Sequence, residues 1–498
     1  MRQIGRIKLY TDVPVITYEN VIEVLRDAFN AYTPSIAKME RLLEYEAGYQ
    51  DRIRAKTYRK DIDNHCVDNL ANEITEFKTG FIWGNPITFI QRGNKDDTDN
   101  KVLEAIAELN RCYEAQDIRK KTQHLARNVE ITGLGYTFVD VNMDYQEGDS
   151  YFQIESLDPQ NAFVVYSSYY LDQRPMLGVI TRTNSKNERS FTCFSRDMRY
   201  EVTNAWEHGF RSGEVNPLGM IPIVEWFRDY DRMGCFERQI PEMDNLNLLV
   251  SDFTNDVDQN TQAIWHGNDV EFPVQIIEDE EGNKVEVVKK PSTNDWMLTY
   301  TTADGKQPFV KPLAVEYDYQ GMLNNIITRR ALILQKCNVP QRNDNSGGST
   351  GIAMDSATGW SAAETSANKQ QNIMESCKME EVKLVLKAIR KSSIPVDNPL
   401  NRLTYMDVQP NVKRQKTYEL TVKVNAMCAL LAHGISLEDT VKIAPLFEDP
   451  NEVVVRSGEG VRKYQEANIF KTENNSAEES RPFPDSSDQV NNSPNING

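Results

Sequence analysis

Ile221-Pro222-Ile223-Val224-Glu225-Trp226-Phe227 leads through a polar turn into ERQIPEMDNLNLLVSDFTNDVDQNTQAIWHGN, Glu237 to Asn268, and this stretch decides the fold. The first part alternates as a short apolar strand. The second reads as one acidic amphipathic helix to about residue 266. Met243, Leu246, Val250, Phe253, Val257 and Ile264 follow helical spacing, while Asp244, Asp252, Asp256 and Asp258 fall mostly off that stripe. A long strut with a narrow seam packs lengthwise against other helices and carries no chemistry of its own.

Outward from it, Val274, Ile276 and Ile277 face Val285, Val287 and Val288 across the turn-forming DEEGN sequence, so a small β insert follows. A second helix is predicted over 316–338. A break rich in Gly, Ser and Asn comes next, and a third long helix runs from near Ser361 to about Arg390. At 1.5 Å rise per residue the first two helices reach about 45 Å and about 33 Å. A hairpin repeated by subunit copies around an axis and an ordinary intramolecular bundle both bury such stripes.

Upstream, helices are expected over 17–45, capped by Thr17, and over 61–82, ending at the Gly84-Asn85-Pro86 breaker; two more patterns lie in 99–131. From 135 to 203 the period becomes two, which predicts an antiparallel meander. Residues 417–465 are helical again, with a capping-box signal at Ser436-Leu437-Glu438-Asp439. From Thr472 onward the composition is that of a disordered tail.

The 498 residues carry 74 acids against 56 bases, a formal charge of -18. That balance speaks against an ordinary DNA-binding module, which needs a basic face. It does not exclude a protein that must stay close to DNA without sticking to it. No apolar run reaches the length of a membrane span, and the N-terminus lacks a signal-peptide core. Seven scattered cysteines without a CxxC pair read as reduced, mostly buried thiols.

Catalytic patterns fail on their chemistry. Asp304-Gly305-Lys306-Gln307 lacks the hydroxyl residue of a phosphate-binding P-loop, and Gly347-Gly348-Ser349-Thr350-Gly351 follows a helix, where a dinucleotide fingerprint follows a strand. Gly133-Leu134-Gly135 is a turn. The five histidines form no HxxxH or HExxH pair, and His65 beside Cys66 is expected to be a packed core pair. No cofactor, no metal and no enzymatic activity are expected.

Several segments, in order, resemble the siphophage-type portal (head-to-tail connector) proteins of tailed bacteriophages. Leu42-Leu43-Glu44-Tyr45-Glu46-Ala47-Gly48 is similar to a Leu-x-x-Tyr-Tyr-x-Gly element, with Glu46 at the second tyrosine. Asn64 to Pro86 resembles the helix ending in Gly-x-Pro. Gly133 to Asp140 and Leu157-Asp158-Pro159 resemble the wing meander, and Ile221 to Asn255, including Ser251-Asp252, the strand leading into the first stem helix. Gly351-Ile352-Ala353-Met354 is similar to a Ser-Gly-x-Ala-Leu segment, with Thr350 replacing serine and Asp355 where lysine is common. Ser436 to Asn451 resembles the crown.

The resemblance implies a mainly helical α+β portal fold: an α/β wing, a long helical stem, a small β-containing clip and a helical crown, assembled as a ring. It implies an N-terminal arm over 1–45, wing 46–235, stem helices 236–267 and 316–338, and clip 268–315. A tunnel loop over 339–360, a long tunnel/wing helix over 361–393, a crown over 394–465 and a disordered tail over 466–498 complete the division. The ring, a dodecamer in the virion, is expected at one capsid vertex, assembled in the host cytoplasm, with double-stranded DNA packaged and ejected through it without sequence-specific binding. Expected partners are its own copies, terminase, head-tail adaptors, and the major capsid and scaffolding proteins, with no membrane.

Asn343, Asp344, Asn345, Ser346, Gly347, Gly348, Ser349, Thr350 and Gly351 are the expected tunnel-loop contacts, and Asp252, Asp256 and Asp258 the channel-lining acids. Glu278, Asp279, Glu280 and Glu281 are expected where terminase and adaptors dock. A non-enzymatic helical scaffold is the alternative, and an acidic metal-dependent phage nuclease a further one.

Overall fold

The computed structural model describes residues 5–50, 62–92, 100–146, 148–186, 188–203, 210–261, 265–268, 274–278, 284–288, 309–312, 318–341, 359–412, 414, 419–443, 446, 453–454 and 456–463. Along the chain β1 (Leu9–Thr11) and α1 (Val21–Glu46) precede α2 (Leu70–Trp83) and β2 (Thr88–Gln91). Then come α3 (Asn100–Glu114) and α4 (Ile118–Thr132), parted by Asp117 in a left-handed conformation, φ 53°. Strands β3 (Leu134–Val141), β4 (Phe152–Leu157), β5 (Ala162–Ser167) and β6 (Pro175–Thr183) follow, with β7 (Arg189–Phe194), β8 (Met198–Thr203), β9 (Phe210–Val215) and β10 (Ile223–Phe227). Next are α5 (Ile240–Thr261), β11 (Trp265–Asn268), β12 (Val274–Glu278), β13 (Lys284–Val288), β14 (Phe309–Pro312) and α6 (Tyr319–Lys336). The order closes with α7 (Trp360–Lys391), β15 (Val408–Asn411), α8 (Glu419–Ala432) and α9 (Leu437–Ile443). The fold is mixed α/β.

The chain divides into two units, residues 1–39, 78–233 and 367–498, and residues 40–77 and 234–366. The first is layered. Its six-stranded sheet runs β1-β5-β6-β7-β8-β9, and a three-stranded sheet runs β10-β3-β4. The period-two segment is therefore no single meander: β3 and β4 leave it for the second sheet, and β1 pairs parallel to β5. Alternation along β5 explains the layers. Phe163 and Val165 pack with Val21, Leu25 and Tyr32 of α1, while Ala162 and Val164 pack with Tyr136 of β3 and Ile223 of β10. On its far side the small sheet sends Val139 and Val141 into a core shared with α3, α4 and α7. The order across this unit is thus helix, sheet, sheet, helices.

Two buried polar nodes tie α7 into the first unit. Glu381, 1% exposed, accepts from Lys378 Nζ at 2.5 Å, Tyr113 OH at 3.2 Å and Thr137 Oγ1 at 3.0 Å. Trp226 Nε1 in turn donates to Thr137 Oγ1 at 3.0 Å, and Lys378 Nζ lies 4.4 Å over the Tyr113 ring. Burial pushes the Tyr113 hydroxyl well above its ordinary pKa, so it stays a donor. Glu130, fully buried, accepts from Trp83 Nε1 at 3.1 Å, from Gln370 Nε2 and from Arg228 Nε.

Three expectations are corrected here. Helix 61–82 begins at Leu70, residues 62–68 being extended, and the first long helix stops at Thr261, its last expected residues forming β11. His65 is no core residue: it is exposed and lies 3.3 Å from Asp63. The Ser436 cap stands, its Oγ accepting from Asp439 N at 3.1 Å. Five of the cysteines, Cys112, Cys193, Cys235, Cys337 and Cys377, are buried free thiols. Residues 472–498 lie outside the described residues.

Candidate functional site

The second unit is organised around α5. Gly234 N donates to Glu237 Oε2 at 2.9 Å where a short 3₁₀ turn, Glu237–Gln239, opens the helix. The apolar seam read from the sequence is only partly the buried face. Met243 and Leu246 are buried, but Val257 is exposed, and farther along the helix the buried positions are Asn247, Ser251 and Asn255. These three sit four residues apart, hence on one line. Each accepts from the backbone of the extended segment beside it: Asp68 N to Asn247 Oδ1 at 2.9 Å, Cys66 N to Ser251 Oγ at 2.9 Å, and Asn64 N to Asn255 Oδ1 at 2.7 Å. The registers agree physically. Two strand residues advance about 6.6 Å and four helix residues about 6.0 Å, so alternate amides meet successive turns. With their amides so satisfied, residues 62–68 have no need of a helix.

Helix α6 lies antiparallel beside α5. Asp318 caps it, accepting from Gly321 N at 2.9 Å. Tyr319 meets Phe253 edge-on, ring centroids 6.0 Å apart, near the C-terminal end of α5, while Arg329 reaches Glu242 at 3.6 Å near its start. Arg330 holds Asp68 at 3.0 Å and also Glu73. Beyond the helix ends the chain continues as an antiparallel ribbon, Trp265↔Pro312 to Asn268↔Phe309, with the β12–β13 hairpin inserted between its strands. Val274, Ile276 and Ile277 do sit on the strand facing Val285, Val287 and Val288, in a register that sets Val274 opposite Val288, Ile277 opposite Val285 and Ile276 opposite Glu286.

The expected site residues fall out as follows. Asp252 and Asp256 are half-buried and, at about 100° per residue, lie on the side of α5 away from the ladder. Asp258 is on the ladder side, where it accepts from Asn64 Nδ2 at 2.5 Å. Glu278 is exposed at the end of β12, opposite Lys284. Asp279, Glu280, Glu281 and all of Asn343 to Gly351 lie outside the described residues. The polar ladder was missed because Asn and Ser on a helix read as solvated surface; their four-residue spacing was the available signal.

His124 brings a hydroxyl and a carboxylate together, Nδ1 to Ser156 Oγ at 3.1 Å and Nε2 to Asp158 Oδ1 at 3.1 Å. In a hydrolytic triad Nε2 faces the hydroxyl and Nδ1 the carboxylate. The reversed, half-exposed arrangement here ties α4 to β4 and the turn after it. Among the described residues no group of His, Cys, Asp and Glu could hold a metal ion, and no helix is long and apolar enough to cross a membrane.

A family model described as phage portal protein, SPP1 Gp6-like, matches residues 22–479. The chain belongs to this portal protein family. It is thus a structural protein of the bacteriophage particle. No curated protein matches the portal chain. Among solved structures, a chain described as the neck of an empty GTA particle computed with C6 symmetry is similar at 11% identity and a TM-score of 0.42, over 76% of this chain and 90% of that one.

Proposed function

We propose that this portal chain assembles through its α5–α6 pair into a ring, a dodecamer in the virion, at a single capsid vertex, and that double-stranded DNA is packaged and ejected through the bore. The observation that carries the reading is the antiparallel pair itself. Residues 62–68 cover the polar ladder of α5, yet Leu248 on α5, and Leu323 and Ile327 on α6, are exposed. Neighbouring copies supply the missing cover. The β12–β13 hairpin likewise exposes Val274, Ile276, Ile277, Val285 and Val287, more apolar surface than an isolated hairpin carries stably. This hairpin, with Glu278 at the end of its first strand and Asp279 to Glu281 between its two strands in the sequence, is the proposed clip, gripped by terminase and then by head-tail adaptors.

Negative-stain microscopy of the purified protein tests assembly: rings with a central hole of about duplex width are expected, and a compact monomer at every concentration overturns the reading.

The net charge of -18 supports a bore that DNA slides past. Acids facing phosphates keep the duplex from the tight, counterion-releasing contacts that basic residues make. On this reading Asp252 and Asp256 line the channel, Asp258 is shared with the Asn64 contact, and the small polar residues of Asn343 to Gly351 touch the moving DNA. In a packaging assay, Asp252→Asn, Asp256→Asn and Asp258→Asn combined should slow packaging severalfold at low salt while rings still form. Normal rate and DNA length would remove the acids from the mechanism.

A further inference from the structure

An open cavity of about 730 Å³ lies within the first unit, between β1, β10 and α7. Its floor is an ion pair of Glu225, 5% exposed, with Arg232. Arg232 stands at φ 56°, a left-handed conformation costing a non-glycine residue about 1–2 kcal/mol. Neighbours hold it there. Its carbonyl accepts from Arg6 Nε at 2.8 Å, and Gly133, itself at φ 82°, packs so tightly that a Cβ would sit 2.6 Å from the Arg232 carbonyl carbon. Strain maintained in this way, beside a cavity, marks a built site.

Glu225 and Lys8 both face the cavity, where Lys8 Nζ donates to Gln173 Oε1 at 3.4 Å. Arg232 takes Oε1 of Glu225, and the buried carboxylate lines the cavity. Lys8 also lines it. Its Nζ lies 4.1 Å over the Tyr166 ring, and among the described residues no carboxylate is within ion-pair distance of it. Burial lowers the Lys8 pKa while Glu225 opposes the shift, so both groups face one poorly solvated space. Glu380 sits exposed at the rim, and Tyr10 and Tyr230 present largely exposed rings there. The fitting ligand has an acidic group for Lys8, a cationic group for the carboxylates, and an aromatic or proline body for the tyrosines.

The chain carries such a segment in its C-terminal tail. After Phe470 the sole aromatic residue is Phe483, within Arg481-Pro482-Phe483-Pro484-Asp485. Flanking prolines favour an extended polyproline conformation, the form that aromatic-lined grooves accept at low entropic cost. It sets the two charges about 12 Å apart at about 3.1 Å per residue. From Lys463, the last described residue, the chain can span about 60 Å to Arg481.

We propose that Arg481–Asp485 of the tail docks in this cavity, with Asp485 on Lys8, Arg481 on Glu225 and Glu380, and Phe483 among Tyr10, Tyr166 and Tyr230. The test is anisotropy of a fluorescein-labelled peptide spanning residues 476–490, titrated with the protein truncated after Phe470. Saturable binding is expected, weakened at least tenfold by Lys8→Glu and by Tyr230→Ala, an exposed ring whose loss leaves the core intact. A peptide carrying Asp485→Lys should bind Lys8→Glu better than the native peptide does, and full-length protein, its own tail competing, should bind the native peptide at least tenfold more weakly. Absence of saturable binding, equal binding of a scrambled peptide, or unchanged affinity in Tyr230→Ala overturns the assignment. Ring formation is not needed for any of these readouts.

Discussion

Glu381→Ala is expected to lower the stability of the first unit by about 3–5 kcal/mol, the cost of stranding one partner of a buried ion pair. The substitution leaves the Lys378 ammonium, 4% exposed, over the Tyr113 and Phe89 rings without its carboxylate. It also removes the acceptor of the Tyr113 and Thr137 hydroxyls, each buried and then short of a partner. Because α7 is joined to β3 and α3 through this carboxylate, loss should loosen all three elements together. The control is Lys378→Met with Glu381→Leu, which removes both charges and should recover most of the loss. Guanidinium denaturation followed by tryptophan fluorescence reads the effect, Trp226 being hydrogen-bonded into the node. A loss below about 1 kcal/mol in Glu381→Ala would mean that Lys378 finds water or another acceptor and that the node does not hold the helix.

Removing the ladder of α5 should have the second-largest effect. Asn247→Ala, Ser251→Ala and Asn255→Ala together deprive three backbone amides, those of Asp68, Cys66 and Asn64, of their acceptors. At about 1–3 kcal/mol for each buried donor left unmade, the triple variant should lose about 3–6 kcal/mol locally, some of it relieved by water entering. The segment 62–68 is expected to come away from α5, read as hydrogen exchange at those amides at least a hundredfold faster. Arg330 should then lose its grip on Asp68, and ring yield should fall with it. Unchanged exchange at all three amides would show that the apolar packing around Met243 and Leu246 holds the segment by itself.

Those two sites show what could and could not be read from the chain. The long helix α7, the breaker at Gly84 and the turn at Gly133 are local consequences of backbone period and steric freedom, and they appear where expected. The β12–β13 register follows from the same local pairing. Residues 62–68 carry helical spacing but are extended, because their hydrogen bonds go to side chains about 180 positions away, which no window along the sequence contains. The i,i+3 pair of Lys378 and Glu381 has the spacing of a solvated helix face and is buried instead. Asp258 shares its composition with Asp252 and Asp256 yet stands apart from them, since an advance of two residues past Asp256 turns a helix by about 200°.

By itself, then, the sequence determined the long helices, the β insert between them and the portal family, because period, capping and ordered motifs are written in neighbouring residues. Tertiary structure alone decided which polar side chains are interior. Burial depends on what packs across from a residue, and the partners of Glu381, Asn255 and Glu225 come from separate elements of the fold.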